Sequence, residues 1–344
     1  RCCRAECRFM KAIQCGAPST LNDLTLVNMP TPRDPGVGDI MVRIEAASLN
    51  YHDYAVVTGL LPTAAERIPL SDGAGWIVAI GERVEGVQIG NLVVSLFFPS
   101  WTDGALSARA AAQVPGDSVE GYACEYVTAP ACWFTRAPQG YSAAEASTVP
   151  CAGVTAWRAL VVDGQLNKDQ TVLVLGSGGV SVFALQLAKA VGARVIATTS
   201  SKDKADRLRA LGADHVINYR ETPKWGAAVL ELTNGAGADH VVEIGGAGTL
   251  DQSIVACRPG GHVALVGVLA GFAGPVNTAM IMRKQLRVQG LTVGSRVDQL
   301  DLIEAIDTYA IKPVIDRSFP LSELAAAFRY QESGSHIGKI VVEL

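Results

Sequence analysis

A chain of 344 residues with 49% apolar and 18% charged residues has material for two domains, each burying its own core. That balance excludes a disordered or fibrous protein, and a net charge of -4 leaves no broad basic field for nucleic acid or an anionic membrane. No apolar run approaches the roughly 18–20 residues of a membrane span, so a soluble, cytoplasmic protein without nucleic-acid or membrane partners is expected.

The first nine residues, RCCRAECRF, hold three of the eight cysteines and lack the apolar stretch of a signal peptide. They read as an unstructured or non-native extension over 1–9. Cys2, Cys3 and Cys7 have no histidine or fourth cysteine nearby, and the remaining cysteines are scattered, which favours free thiols in a reducing compartment. From Met10 to about Thr128 short strands alternate with turns. Ile40–Ala47, Trp76–Val78, Asn91–Phe98 and Tyr122–Val127 are strand-like, and Pro30, Pro32, Pro35, Gly36 and Gly38 punctuate the region. A small, irregular, barrel-like domain is expected over 10–135.

Near residue 140 the pattern changes. Ser142 followed by Glu145 is a capping box, and a helix over Val154–Val162 follows. Strands at 171–175, 194–198, 215–217, 238–244 and 262–266 then alternate with helices at 180–191, 202–211, 227–233 and 250–257. This predicts an α/β domain over 136–294, a doubly wound parallel sheet covered on both faces. The last segment, 295–344, shows two amphipathic helices and a closing strand at Lys339–Glu343, and is expected to return and complete the first domain.

The stretch TVLVLGSGGVSVFALQLAKAVGARVIATTSSKDKADRL carries the most chemistry. A buried strand ends at Leu175; Gly176-Ser177-Gly178-Gly179 follows, then a helix whose apolar stripe holds Val180, Phe183, Ala184, Leu187 and Ala188. Such a turn lets a pyrophosphate approach bare backbone at the helix start, the Rossmann arrangement for a dinucleotide. Ser181 replaces the usual third glycine and is small enough for close helix–strand packing. The next strand ends in Thr198-Thr199-Ser200-Ser201 with no acid for the ribose hydroxyls, and Lys202, Lys204 and Arg207 follow. The missing acid points to NADPH, with Thr199, Ser200 and Lys204 at the 2'-phosphate; Lys202 and Arg207 read as a solvated helix face.

With these residues, the chain resembles the medium-chain dehydrogenases/reductases, the superfamily of zinc alcohol dehydrogenases and quinone oxidoreductases. The likeness rests on EAASLNYHDYAVVTG (45–59), PLSDGAGWIVAIGERVEGVQIGNLVV (69–94), VPCAGVTAWRAL (149–160), the glycine-rich unit and LGADHVINY (211–219). It implies a chaperonin-10-like first domain, substrate in the cleft between the domains, and a homodimer joined through the edges of the nucleotide-binding sheets. It also implies contacts to coenzyme from Thr155, Gly176, Gly178, Gly179, Val180, Tyr219, Gly245 and Gly267. Tyr219 equally suits a packed loop aromatic, Gly245 and Gly267 equally suit turn glycines, and Thr155 a buried helix position.

Departures from the zinc members define the expected chemistry. Asn50 and Ser71 stand at two zinc-ligand positions, Cys151 at the third, and 97–119 lacks the cysteines of a structural-zinc lobe. Three protein ligands around an open position are the norm for catalytic zinc, so both zincs are expected to be absent. The resemblance then implies a zinc-independent, NADPH-dependent reductase of a quinone or conjugated enone, whose acceptor spreads incoming charge without a Lewis acid. A zinc-independent alcohol or aldehyde dehydrogenase and a non-catalytic nucleotide binder are the alternatives. Asn50, as a donor to a carbonyl, Tyr51, as a proton donor or stacking partner, and Asp53, as an orienting group, are the catalytic candidates. Each also suits a structural role. Tyr54 is a poorer choice, and Phe97, Phe98 and Trp101 suit either an apolar pocket or a core edge.

Overall fold

The computed structural model describes residues 9–16 and 19–344. The expected extension at 1–9 lies outside the described residues except for Phe9, which opens strand β1 (Phe9–Gln14) instead of ending a tail. β1 buries Met10, Ala12 and Ile13 and pairs antiparallel with β2 (Thr25–Pro30). β3 (Asp39–Ser48) leads into helix α1 (Tyr51–Val57), which is followed by β4 (Asp72–Ile80), β5 (Leu92–Ser95), β6 (Tyr126–Pro130), β7 (Phe134–Arg136) and α2 (Ala143–Ser147). β3 is the spine of a branched sheet. β4 runs antiparallel along one side, and β6 takes the first half of the other. The alternation read at 40–47 is the reason: Ile40, Val42 and Ile44 point inward and are at most 2% exposed.

The helical run 149–162 has wide i→i+5 turns on either side of α3 (Val154–Trp157). Beyond it come β8 (Thr171–Val174), α4 (Gly179–Val191), β9 (Arg194–Thr199), α5 (Lys202–Ala210), β10 (His215–Asn218), α6 (Trp225–Leu232), β11 (Ala238–Glu243), α7 (Leu250–Ala256), β12 (Cys257–Leu265), α8 (Thr278–Lys284) and β13 (Arg287–Gly290). Among the described residues this sheet has the order β10-β9-β8-β11-β12-β13, parallel throughout. The order reverses between β8 and β11, the switch point at which doubly wound sheets bind nucleotides.

The tail supplies α9 (Arg296–Tyr309), β14 (Ile315–Pro320), α10 (Leu324–Glu332) and β15 (Lys339–Glu343). β15 pairs antiparallel with Ala46–Ser48 of β3, filling the side that β6 leaves open. β14 lies parallel to β15, a strand the periodicity did not predict.

The chain divides into two compact units. One takes the residues up to Cys151 with 294–308 and 315–344; the other takes 152–293 with 309–314. The boundary therefore falls at Cys151, later than the expected 135. The cause is α2, whose capping box is formed (Glu145 N–H to Ser142 Oγ, 3.2 Å; Ser142 N–H to Glu145 Oε2, 2.8 Å) and whose end is buried beside β3.

Candidate functional site

In the first unit the turn from β3 into α1 gathers the catalytic candidates. Asn50 caps α1, and its own N–H donates to Asp53 Oδ2 at 2.9 Å. The other Asp53 oxygen accepts the Ser71 N–H at 2.9 Å, so this buried carboxylate joins the helix start to the segment entering β4. Asn50 Nδ2 donates to Ser71 Oγ at 3.1 Å. Leu70, fully buried beside it, has φ +78°, a left-handed conformation that costs a branched residue roughly 1–3 kcal/mol. Ser71 is thus presented from a strained backbone.

Two further groups enter this cluster, one from distant sequence and one beside Ser71. Lys339 opens β15, is 4% exposed, and donates to Leu49 O at 2.7 Å and Asn50 Oδ1 at 2.5 Å. Asp72 Oδ2 lies 4.0 Å from the same ammonium and accepts longer bonds, 3.3 Å each, from Ser48 Oγ and the Cys151 N–H. Asp72 Oδ1 has no partner among the described residues. Burial raises Asp53 to about 6, against the Ser71 hydroxyl, the Asn50 N–H and Lys339, which favour the ionised form. Burial raises Asp72 to about 7, opposed by Lys339 and reinforced by Asp53. Burial, with Asp72 next, holds the Cys151 thiol well above its ordinary range.

This donor set does not suit a dehydrogenase zinc. A carboxamide and a hydroxyl bonded to each other replace two anionic or imidazole ligands, the remaining thiol resists ionisation, and an ammonium already occupies the carboxamide oxygen.

The other first-unit candidates separate. Tyr51 is 36% exposed and stacks on Tyr54, whose hydroxyl donates to Glu332 at 2.8 Å, away from the cluster. Phe97, Phe98 and Trp101 are buried and stack edge to face behind His52, a core edge. His52 Nε2 faces Asp117 at 3.5 Å, and burial lowers its pKa.

In the second unit the remaining candidates, Thr155 excepted, sit at or beside the C-terminal ends of parallel strands. Gly176 follows β8 with φ +72°, a conformation glycine adopts without strain, and its N–H donates to Thr198 Oγ1 at 3.1 Å. Gly178 caps α4 with no side chain over the first-turn amides, and Gly179 and Val180 open the helix. Ser181 does more than fit: it is fully buried and its hydroxyl donates to Leu175 O at 2.6 Å, binding helix to strand. Thr199 ends β9 with a buried hydroxyl that lacks a partner among the described residues, and its carbonyl accepts the Tyr219 N–H at 3.0 Å. Ser200 follows, and Lys204 lies in the first turn of α5, capped by Ser201. Gly267 brings the end of β12 so close to β11 that a Cβ would meet Ile244 O at 2.1 Å. Thr155 is buried within α3.

Sequence reasoning passed over two residues. Glu243 ends β11 fully buried, and its Oε1 accepts Gly245 N–H (2.7 Å), Gly246 N–H (3.1 Å) and Thr249 Oγ1 (2.5 Å) while Oε2 accepts Ser253 Oγ. It shapes the loop that carries Gly245. Lys339 is the other. The signal in both was a charged residue inside an apolar strand, V-V-E-I and K-I-V-V. Uncapped amides, a glycine turn and an orphaned Thr199 hydroxyl at one sheet edge fit a dinucleotide.

A barrel-like unit and a doubly wound unit with this sheet edge define a nicotinamide-coenzyme oxidoreductase. Residues 36–139 match the alcohol dehydrogenase GroES-like domain, and residues 179–310 match the zinc-binding dehydrogenase family. The chain belongs to the medium-chain dehydrogenase/reductase superfamily. It is 40% identical over 321 residues to a zinc-type alcohol dehydrogenase-like protein of Schizosaccharomyces pombe, covering 91% of this chain and 93% of that one. It is 32% identical to the chloroplastic quinone oxidoreductase QR1 of Triphysaria versicolor, covering 98% and 99%. A solved structure described as an NAD-dependent alcohol dehydrogenase has a TM-score of 0.89 and 33% identity, covering 97% of this chain and 100% of that one.

Proposed function

We propose that this oxidoreductase works without zinc and uses NADPH to reduce a quinone or a conjugated enone, as a cytoplasmic homodimer. The observation that carries the reading is the cluster at 50, 71, 72, 151 and 339, where a carboxamide and a hydroxyl bonded to each other stand in place of two metal ligands and a buried ammonium holds the carboxamide oxygen. Without a Lewis acid, the favoured acceptor is one whose own conjugation spreads the incoming charge. The QR1 name is of the same chemistry.

The residues divide the work. Gly176, Gly178, Gly179 and Val180 hold the pyrophosphate on backbone amides, while Thr199, Ser200, Lys204 and Tyr219 hold the adenosine ribose and its 2'-phosphate. No carboxylate stands at the end of β9 to repel that phosphate. Gly245 and Gly267 admit the nicotinamide side and Thr155 its ribose; the bound nicotinamide supplies the hydride. In the first unit Asn50 and Tyr51 bind the acceptor's oxygen and ring, and Asp53 holds Asn50 at the start of α1.

The test is an acceptor screen: benzoquinones, a conjugated enone and simple aldehydes with NADPH and NADH, and alcohols with NADP+ and NAD+, before and after dialysis against a chelator. Chelator-resistant turnover of quinone or enone with NADPH is expected. Metal-dependent alcohol oxidation, or preference for NADH, would overturn the corresponding part.

A further inference from the structure

A carboxamide has an oxygen end and a nitrogen end of nearly the same shape, and only its partners decide which way it lies. An ammonium has three donors and no acceptor. Lys339 Nζ is 2.5 Å from one end of the Asn50 side chain, so that end must be the oxygen. The nitrogen end then gives one of its two hydrogens to Ser71 Oγ at 3.1 Å, and the second is the one left to donate. Ser71, accepting there, turns its own hydrogen toward Asp53, and Asp53 also takes the Asn50 and Ser71 backbone hydrogens. The result is a chain with one direction, from cation through carboxamide and hydroxyl to carboxylate. Each bond polarises the next, and burial strengthens them all.

From this geometry we infer that Lys339, from the last strand, is a positioning residue for the reaction: it fixes Asn50 with its N–H edge, not its carbonyl, available to the oxygen of a bound acceptor. This deepens the reading of Asn50 given above and rests on it. Lys339 acts through Asn50 and carries no step itself. Nearly 290 residues separate the two in sequence, and the antiparallel pairing of β15 with Ala46–Ser48 brings them together. The Leu49 carbonyl takes a second ammonium hydrogen, so the lysine is held at the root of α1 independently of Asn50.

The experiment is a double-mutant cycle, K339M and N50A singly and together, with K339Q as the variant that keeps a neutral donor. With a benzoquinone and NADPH, K339M is expected to lower kcat about tenfold or more, the size of a lost bond to a charged group. The NADPH dissociation constant should stay within about twofold by the same conversion, because the coenzyme residues lie in the second unit. In the N50A background the same K339M change should cost less than about twofold, and K339Q should recover part of the loss. An equal loss in both backgrounds would overturn the inference, since the lysine would then act by another route. A second readout does not need turnover: the Asn50 side-chain amide resonance in 15N-asparagine-labelled protein, identified by its loss in N50A. It should move strongly in K339M and weakly in K339Q, and an unmoved signal counts against the inference even if the protein proves to reduce another acceptor. Failure of the proposed quinone activity with a moved resonance would sink that activity and leave the orientation of Asn50 standing.

Discussion

The two units bury ionisable side chains in opposite company. In the first, two aspartates are buried with one lysine, and burial pushes both carboxyls toward neutrality. In the second, His240 and His262 lie opposite one another on β11 and β12, 4% and 2% exposed, with their rings 5.8 Å apart. His240 Nε2 meets Gln170 Oε1 at 2.9 Å, and the other three ring nitrogens of the pair have no partner among the described residues. Both are lowered to about 4, chiefly by burial; Asp239 opposes this at His240 while Arg258 and Arg287 add to it, and Arg287 and His240 add to it at His262. The candidate sites differ in the same way. The first unit builds its site from residues on four separate stretches, and the second builds its pyrophosphate site from backbone at strand ends. A site made of backbone depends on whatever fixes its loops, and a site made of side chains depends on each partner.

The largest effect should come from removing what fixes the loop. Glu243→Ala leaves Gly245 N–H, Gly246 N–H, Thr249 Oγ1 and Ser253 Oγ without their acceptor, in a fully buried place. Each orphaned donor costs roughly 1–3 kcal/mol, so a loss of about 4 kcal/mol or more is expected. Urea unfolding followed by tryptophan fluorescence checks this, and a loss under about 1 kcal/mol would break the comparison, because the loop would then hold itself.

Acid sharpens the contrast next. The aspartates have folded values raised above 3.8, so their contribution to stability is fully present below that pH and is lost as pH rises through about 6 and 7. The histidines are lowered below 6.5, so theirs is present above that pH and is lost as pH falls toward 4. Between pH 6.5 and 4 the slopes are opposite. Hydrogen exchange, corrected for intrinsic rates, should show β11 and β12 losing protection at pH 5 relative to pH 7.5 while β3 and β4 keep theirs. His262→Phe should weaken that loss. Equal loss in both units would mean that these groups do not govern acid stability.

How much of this could be read in the sequence follows the same division. The glycine turn, the acid-free end of β9 and the capping box at Ser142 are contiguous, and local periodicity with turn chemistry sufficed to place them. The residues at 50, 51 and 53 were visible as one segment, but Lys339 was visible only as a strand residue. Its role depends on β15 settling beside β3, a pairing between chain ends that no local pattern encodes. β13 and β14 were missed for a related reason: short strands such as Arg287–Gly290 carry no clear alternation and are formed by the sheet they join. Leu70 shows the limit from the other side, since its left-handed backbone is set by surrounding packing and not by the residue itself.

Cofactor choice tests the second unit without touching its fold. Lys204 lies in the first turn of α5, close after Thr199 and Ser200 at the end of β9. Lys204→Ala should weaken NADPH by roughly 10–150-fold and leave NADH nearly unchanged, the value of one hydrogen bond between charged groups. Dissociation constants for both coenzymes, measured by fluorescence quenching, decide it. An equal effect on the two would show that Lys204 serves only the helix.

The smallest effect is expected at Cys151, and its smallness is the informative part. The thiol is the one residue at the three ligand positions that a zinc enzyme would also carry, so it separates a metal site from the lysine-centred cluster. If it bound zinc, Cys151→Ser would remove a first ligand, and turnover would fall by orders of magnitude. Here the thiol is held in its neutral form by burial and by Asp72, and neutral thiols neither ligate zinc well nor attack as nucleophiles. Its backbone N–H, not its sulfur, makes the bond to Asp72 at 3.3 Å, and serine keeps that bond. Serine changes the packing by little more than the exchange of sulfur for a smaller, more polar oxygen, a modest loss of stability in a partly buried position. Activity should therefore stay within about threefold of wild type, under 1 kcal/mol in barrier. Quinone turnover of the well-folded variant, measured beside its cobalt and zinc content, provides the check. A loss beyond roughly 100-fold, by the same conversion, accompanied by loss of bound metal would replace the lysine-centred account with a metal centre.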